Sequence, residues 1–114
     1  MKRIFYLLIF VLFSGSVFAV PAVMDSVIRE QKYQALFGGK PLGLKDQKEL
    51  NQFLSSCDDS FSSRNEAATY FAERAWEYLT EGKLDTATFR FNYVNALNPK
   101  SIEAFWGLGV ISYQ

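Results

Sequence analysis

The stretch YLTEGKLDTATFRFNYVNALNPKSIEAFWGLG, residues 78–109, decides the fold of this chain. Gly82 can take the left-handed conformation that ends a helix without a steric penalty, because it has no Cβ atom. Pro99 stops the helix before it, since its ring clashes with the preceding turn and it has no N–H to donate. The pattern therefore predicts two antiparallel helices, at about Ala67 to Thr80 and about Leu84 to Leu97, followed by the start of a third.

Both predicted helices carry an apolar stripe that repeats at helical spacing. Ahead of the first, Ser63 and Glu66 stand in the relation of a capping box, whose side chains satisfy free backbone N–H groups at a helix start. The stripes predict that the two helices bury one face against each other. Their members are Phe71, Ala75, Tyr78 and Leu79 in the first helix and Leu84, Ala87, Phe91 and Val94 in the second.

The chain after the second helix repeats the first helix at an interval of 34 residues. At that shift Phe105 falls on Phe71 and Gly109 falls on Ala75. This order of small and large residues resembles the tetratricopeptide repeat (TPR) family, whose period is about 34 residues. The residues at the family's spacings are Phe71, Ala75, Tyr78, Gly82, Ala87, Phe91 and Pro99, and then Phe105, Leu108 and Gly109.

The resemblance implies an all-α fold of helix-turn-helix repeats, a short α-solenoid. The chain departs from the family pattern at Arg74 and Val94, where an apolar residue and Ala are usual. The motifs RFN at 90–92 and FWGLG at 105–109 are also similar to a subgroup of exported bacterial TPR-containing proteins. We expect a signal peptide at 1–19, an N-terminal helical segment at 20–66, and a TPR-like region at 67–114 with one full repeat and the first helix of a second.

The resemblance also implies a binding surface, because the first helix of each TPR pair lines a concave groove. The groove carries two tryptophans and a tyrosine, and it lacks the Lys and Asn with which chaperone-binding members clamp a peptide carboxylate. Such a surface favours a protein or peptide partner with an apolar or extended segment. In the alternative, a further helix covers the groove. The implied positions are Thr69, Ala72, Trp76 and Leu79 in the first unit and Glu103, Trp106, Val110 and Tyr113 in the second.

The end of the chain suggests a second class of function. The sequence stops at Gln114, within the first helix of the second unit, so one face of that helix is expected to lack a partner. The alternative functions are a scaffold subunit that self-associates through this end as a homo-oligomer, or a fragment of a longer repeat protein. The residues of that face are Phe105, Leu108, Gly109 and Ser112.

Small residues mark the points where neighbouring helices are expected to approach closely. Ala75, Ala87 and Gly109 are predicted at these contacts. Gly107 and Gly109 could instead belong to a nucleotide-binding glycine pair. No strand precedes them, so helix packing is the better interpretation and no cofactor is predicted.

The N-terminus is typical of a secretory signal peptide. The basic residues Lys2 and Arg3 precede an apolar core at 4–13, and Val17 and Ala19 are spaced as signal peptidase requires. We expect a cut between Ala19 and Val20 and a periplasmic or secreted product, in contact with a membrane only during export. The alternative is an uncleaved inner-membrane anchor, since apolar residues continue to Met24.

Two weaker helices are predicted between the signal and the repeat. The first is capped by Asp25 or Ser26 and continues to about Phe37, and the second runs from about Asp46 to Cys57. Gly38 to Gly43 form a loop, and Asp58 to Ser60 form a turn rather than a calcium loop. Cys57 is expected to be a small buried hydrophobe, with a free thiol that joins two molecules as the alternative.

Composition excludes several functions. The chain contains no His, which removes the commonest general base and the usual zinc ligand, so neither catalytic nor metal-binding residues are predicted. Without residues 1–19, which hold Lys2 and Arg3, the 12 basic residues fall to 10 against 12 acidic ones. Nucleic acid is excluded as a partner because its phosphates require a concentrated positive surface. A protein that binds proteins, and not an enzyme, is therefore the favoured class.

Overall fold

The computed structural model describes residues 30–114, and this part of the chain is all-helical. The predicted signal peptide, its cut after Ala19 and the helix start at Asp25 or Ser26 lie outside the described residues. Within 30–114, no helix is both long enough and apolar enough to cross a membrane. The four helices are α1 (Leu44–Ser60), α2 (Arg64–Thr80), α3 (Leu84–Leu97) and α4 (Ile102–Ser112).

The start of α2 is fixed by a capping box. The Ser63 hydroxyl accepts a hydrogen bond from the Glu66 N–H at 3.1 Å, as predicted. The Glu66 carboxylate reaches one residue further back than expected and accepts from the Ser62 N–H at 3.3 Å. With these N–H groups satisfied, α2 begins at Arg64, three residues before the predicted start at Ala67.

The turn between α2 and α3 follows the prediction. Gly82 has φ +78°, in the left-handed region, and its N–H donates to the Leu79 carbonyl at 3.0 Å. The Lys83 N–H donates to the Tyr78 carbonyl at 2.9 Å, which completes a Schellman motif. At its other end α3 stops at Leu97, two residues before Pro99. Both local signals therefore act where the sequence places them.

The core contains two clusters that fix α2 and α3 as an antiparallel pair. The early part of α2 meets the late part of α3 in one cluster, and the late part of α2 meets the early part of α3 in the other. Alanines supply most of the α2 contacts, which lets the two backbones approach closely. The first cluster holds Cys57, Ala67, Ala68, Ala72, Val94, Leu97 and Ala104, and the second holds Ala75, Ala87, Phe91 and Leu108.

One predicted close approach is wrong. Gly109 is exposed, and a Cβ atom built there would meet nothing, whereas a Cβ on Gly107 would collide with the Phe91 ring. Gly109 was matched to Ala75, which is buried against α3, but no described helix packs on the corresponding side of α4. Leu108 was also placed on the exposed face, yet it is buried in the second core cluster.

The helix α1 is longer than predicted at both ends. Asp58 to Ser60 are helical rather than a turn, and the chain reverses at 61–63 instead. The Asp58 carboxylate and the Arg64 guanidinium form two hydrogen bonds of 3.0 Å, which tie the end of α1 to the start of α2. Cys57 is buried and unpaired as a thiol, and its burial raises the pKa of that thiol. It therefore serves as the buried hydrophobe that the sequence predicts.

Residues 30–43, here called the N-terminal strap, do not form the helix predicted to reach Phe37. They contain short 3₁₀ turns at Gln31–Tyr33 and Ala35–Gly39, and Leu36 and Phe37 have positive φ angles of 53° and 58°. The cause is a side chain of α3. Asn92 bonds three backbone groups of the strap, so these groups are not available for a helical ladder.

Candidate functional site

Two tryptophans lie side by side on the surface formed by α2 and α4. The ring centroids of Trp76 and Trp106 are 6.3 Å apart, and the ring planes stand at 85° to each other. Trp76 lies in α2 and Trp106 in α4, so these two helices meet here. We call these two side chains the tryptophan pair.

The two members of the tryptophan pair are held differently. Trp76 is partly buried and packs edge-to-face on the fully buried Phe91, with ring centroids 5.1 Å apart. Trp106 remains 66% exposed. One indole is therefore anchored to the core, while the other offers most of its surface to solvent.

A carboxylate completes this surface. The indole N–H of Trp76 donates to the Glu103 Oε2 atom at 3.1 Å. Glu103 occupies the first turn of α4, three residues before Trp106, so helical geometry places it on the same side as that tryptophan. The hydrogen bond links α2 to α4 directly at the tryptophan pair and orients both side chains.

The structure brings together three of the predicted groove residues, Trp76, Glu103 and Trp106. Ala72 is a correction, because it is buried in the first core cluster and its side chain is not accessible to a partner. Leu79 is partly buried and packs on the second core cluster. At the ends of the surface, Thr69 is exposed, Val110 is partly buried, and Tyr113 is 94% exposed. Their role in binding stays a prediction.

None of the described N-terminal residues covers Trp106. The strap packs on α3 through Asn92, and α1 packs through Phe53, whose ring centroid lies 5.0 Å from that of Phe71 and 4.7 Å from that of Tyr93. These contacts lie at α3 and at the middle of α2. The surface of the tryptophan pair is therefore open within residues 30–114.

Comparisons of the chain with models of known protein families, with curated proteins and with solved structures found no match. The geometry and chemistry of the surface therefore carry the functional conclusion.

A second exposed surface lies on another side of α4. Ile102 is 77% exposed and Phe105 is 50% exposed. They stand three residues apart on the helix and share a face with Gly109. This apolar face is the open side of α4, and it differs from the surface that holds Trp106.

Asn92, which no motif of the sequence marks as an anchor, is fully buried and bonds the strap. Its Oδ1 atom accepts from the Leu36 N–H at 2.7 Å. Its Nδ2 atom donates to the carbonyls of Lys32 at 3.1 Å and Gln34 at 2.8 Å. The available signal was a polar residue inside the apolar run from Phe91 to Val94, since a buried amide requires partners.

The cavity beside the strap and the acidic side chains of the described residues offer less chemistry. A cavity of about 240 Å³ lies between the strap and the helices α3 and α4, which is below the usual range of roughly 300–1,000 Å³ for small-molecule pockets. No group of three or more acidic or Cys side chains in the described part of the chain stands close enough to hold a metal ion. The tryptophan pair is therefore the strongest candidate site.

Proposed function

We propose that this chain is an exported protein-protein interaction module of the TPR type, which binds a peptide or protein segment across the tryptophan pair. One observation carries the proposal: Trp106 is 66% exposed and stands 6.3 Å from a second indole that is fixed on the core. Exposed aromatic side chains on a rigid support are typical of the residues that dominate binding energies. The antiparallel pair α2 and α3, followed by α4, supports the repeat assignment.

Selection of peptides from a random displayed library against the immobilised mature chain tests this proposal. Peptides enriched by the wild-type protein should bind the Trp106→Ala variant more weakly by about 2 kcal/mol, because the variant loses an exposed anchor. Its thermal midpoint should stay close to that of the wild type. The matched control is Phe105→Ala, which removes a neighbouring half-exposed ring from another face of α4.

The Phe105→Ala variant should retain wild-type affinity for the same peptides. Failure to enrich any peptide would count against the proposal, as would equal loss of binding in the two variants.

Export is tested separately. Expression of the full chain in a Gram-negative host should yield a protein outside the cytoplasm that begins at Val20.

A second function, assembly, is favoured by the exposed face of α4. Ile102 and Phe105 place a compact apolar surface in solvent, and such surfaces often pair with another copy. If they do so, the thermal midpoint should rise with protein concentration, because association stabilises only the folded form. Phe105→Ala should abolish that rise and Trp106→Ala should preserve it, so the two candidate functions respond to opposite variants.

A further inference from the structure

The tryptophan pair has the geometry of a site for a positive charge. The two ring planes meet at 85°, so the indoles form two walls of a corner. The face of an indole carries negative electrostatic potential and attracts ammonium or guanidinium groups within about 6 Å of the ring centre. Trp106 is mostly exposed, so a side chain from another molecule can reach this corner.

A fixed carboxylate stands at the same corner. The Glu103 Oε2 atom accepts the Trp76 indole N–H at 3.1 Å, and this is its only hydrogen bond among residues 30–114. Glu103 forms no ion pair with any described residue. A cation between the indoles would therefore meet a negative charge that no ion pair neutralises, and the carboxylate would retain its other oxygen for a direct hydrogen bond.

The charges of α2 and α4 favour the same kind of partner. Their basic residues are Arg64, which is paired with Asp58, and Arg74, which lies 2.8 Å from Glu77 and 5.4 Å from the centre of the Tyr70 ring. Neither arginine is free to neutralise Glu103. The acidic residues of the two helices are Glu66, Glu73, Glu77 and Glu103, which leaves an excess of two negative charges, four against two.

Glu73 adds to this excess close to the site. It is exposed, lies three residues before Trp76 on α2, and forms no ion pair within the described chain. Residues three apart on a helix are neighbours, so its charge lies within one turn of the tryptophan pair. An acidic segment would be repelled here, whereas a basic one would be attracted.

We infer that the partner segment is basic, and that a Lys or Arg side chain of it lies against Trp76 and Trp106 with its charge at the Glu103 carboxylate. This inference rests on the proposed peptide binding and names the chemistry of the peptide. Recognition of a charged side chain differs from recognition by apolar contact alone, and the two indoles are chemically able to provide either.

Three nonapeptide pools test the inference, each random at eight positions and fixed at the centre as Lys, Gln or Glu. At low saturation the wild-type chain should capture the Lys pool about five- to tenfold more than the Gln pool, and the Glu pool least. Glu103→Gln keeps an oxygen for the Trp76 N–H but removes the charge, so the ratio of Lys to Gln capture should fall to about one or two.

The matched control is Glu66→Gln, which removes a charge from α2 but keeps a side chain that can complete the capping box. It should preserve the ratio of Lys to Gln capture. Equal capture of the two pools by the wild type would overturn the inference, and so would a five- to tenfold preference for Lys that Glu103→Gln leaves unchanged.

The two proposals fail in different ways. If Trp106→Ala lowers capture of the Lys and Gln pools equally and the wild type shows no preference, peptide binding stands and the basic partner is refuted. Capture of no pool above background would refute both. Circular dichroism and the thermal midpoint confirm that each variant is folded before its capture is compared.

Discussion

The helices α3 and α4 pack against each other but differ in how many of their sides are buried. Phe91 and Val94 of α3 are fully buried, because α2, α4 and the strap all contact this helix. In α4, only the side that faces α2 and α3 is buried, while Ile102 and Phe105 remain in solvent. Similar apolar residues thus serve the core in one helix and form surface in the other, and the neighbours decide which.

The largest expected effect is at the centre of the buried helix. Phe91→Ala removes a ring that packs on Trp76 at 5.1 Å and fills the space beside Gly107, and it should lower the free energy of unfolding by about 3–5 kcal/mol. Urea denaturation measures this. Phe105→Ala should cost less than about 1 kcal/mol, since half of that ring is already exposed. Equal losses would abolish the distinction between the two helices.

Replacement of Asn92 should give the next largest loss of stability, because this residue bonds the strap to the third buried side of α3. Asn92→Ala leaves one N–H and two carbonyls of the strap without their partner, which should cost about 1–3 kcal/mol. Protease cleavage within 30–43 should accelerate. The control is Asn95→Ala on the same helix, since its Oδ1 atom has no hydrogen bond among the described residues. A strap that stays protected in Asn92→Ala would show that other contacts hold it, such as those of the Tyr33 ring with Phe89 and of the Phe37 ring with Tyr93.

Two glycines of α4 lie on different sides of the helix, Gly107 on the buried side and Gly109 on the exposed side. Gly107→Ala places a methyl group against the Phe91 ring and should cost about 1–3 kcal/mol. Gly109→Ala adds the same group where nothing lies nearby, and should stabilise the protein by about 0.5–1 kcal/mol through helix propensity. The thermal midpoints should therefore shift in opposite directions. A shift in the same direction would mean that α4 is packed differently.

The smallest effect concerns pH and lies at the exposed junction of α1 and α2. The hydrogen bonds from Arg64 hold the pKa of Asp58 below its ordinary value of 3.8. The stabilisation is therefore present above that ordinary value and is lost as the pH falls through the lowered pKa. Asp58→Asn should be slightly less stable than the wild type at neutral pH and equal to it in acid. A difference that persists in acid would point to packing instead.

The sequence predicts the helix ends well where the signal is local. Ser63, Gly82 and Pro99 each act within a few residues of their own position, so the end of α2 and both bounds of α3 follow directly, while the start of α2 lies three residues before the predicted one. The strap could not be predicted in this way. Its conformation depends on Asn92, whose three partners lie 56 to 60 residues earlier in the chain.

In the candidate site, too, some features follow from the sequence pattern and others depend on contacts that the pattern does not specify. The repeat interval places Trp76 and Trp106 on one surface, and their rings are in contact. The interval also places Gly109 at a close approach, which is wrong, because register alone does not reveal whether a neighbouring helix is present. The bond from Trp76 to Glu103 depends on the rotamers of both side chains, which periodicity does not specify.

The contacts of Asn92 have a consequence for which substitutions the strap tolerates. Asn92 bonds only main-chain atoms, so the side chains at Lys32, Gln34 and Leu36 are not read by this residue. Proline at Leu36 should disrupt the docked path, because it lacks the N–H that donates to Asn92 and cannot adopt a φ of +53°. Asn92 therefore recognises the main-chain shape of the strap and not its side chains.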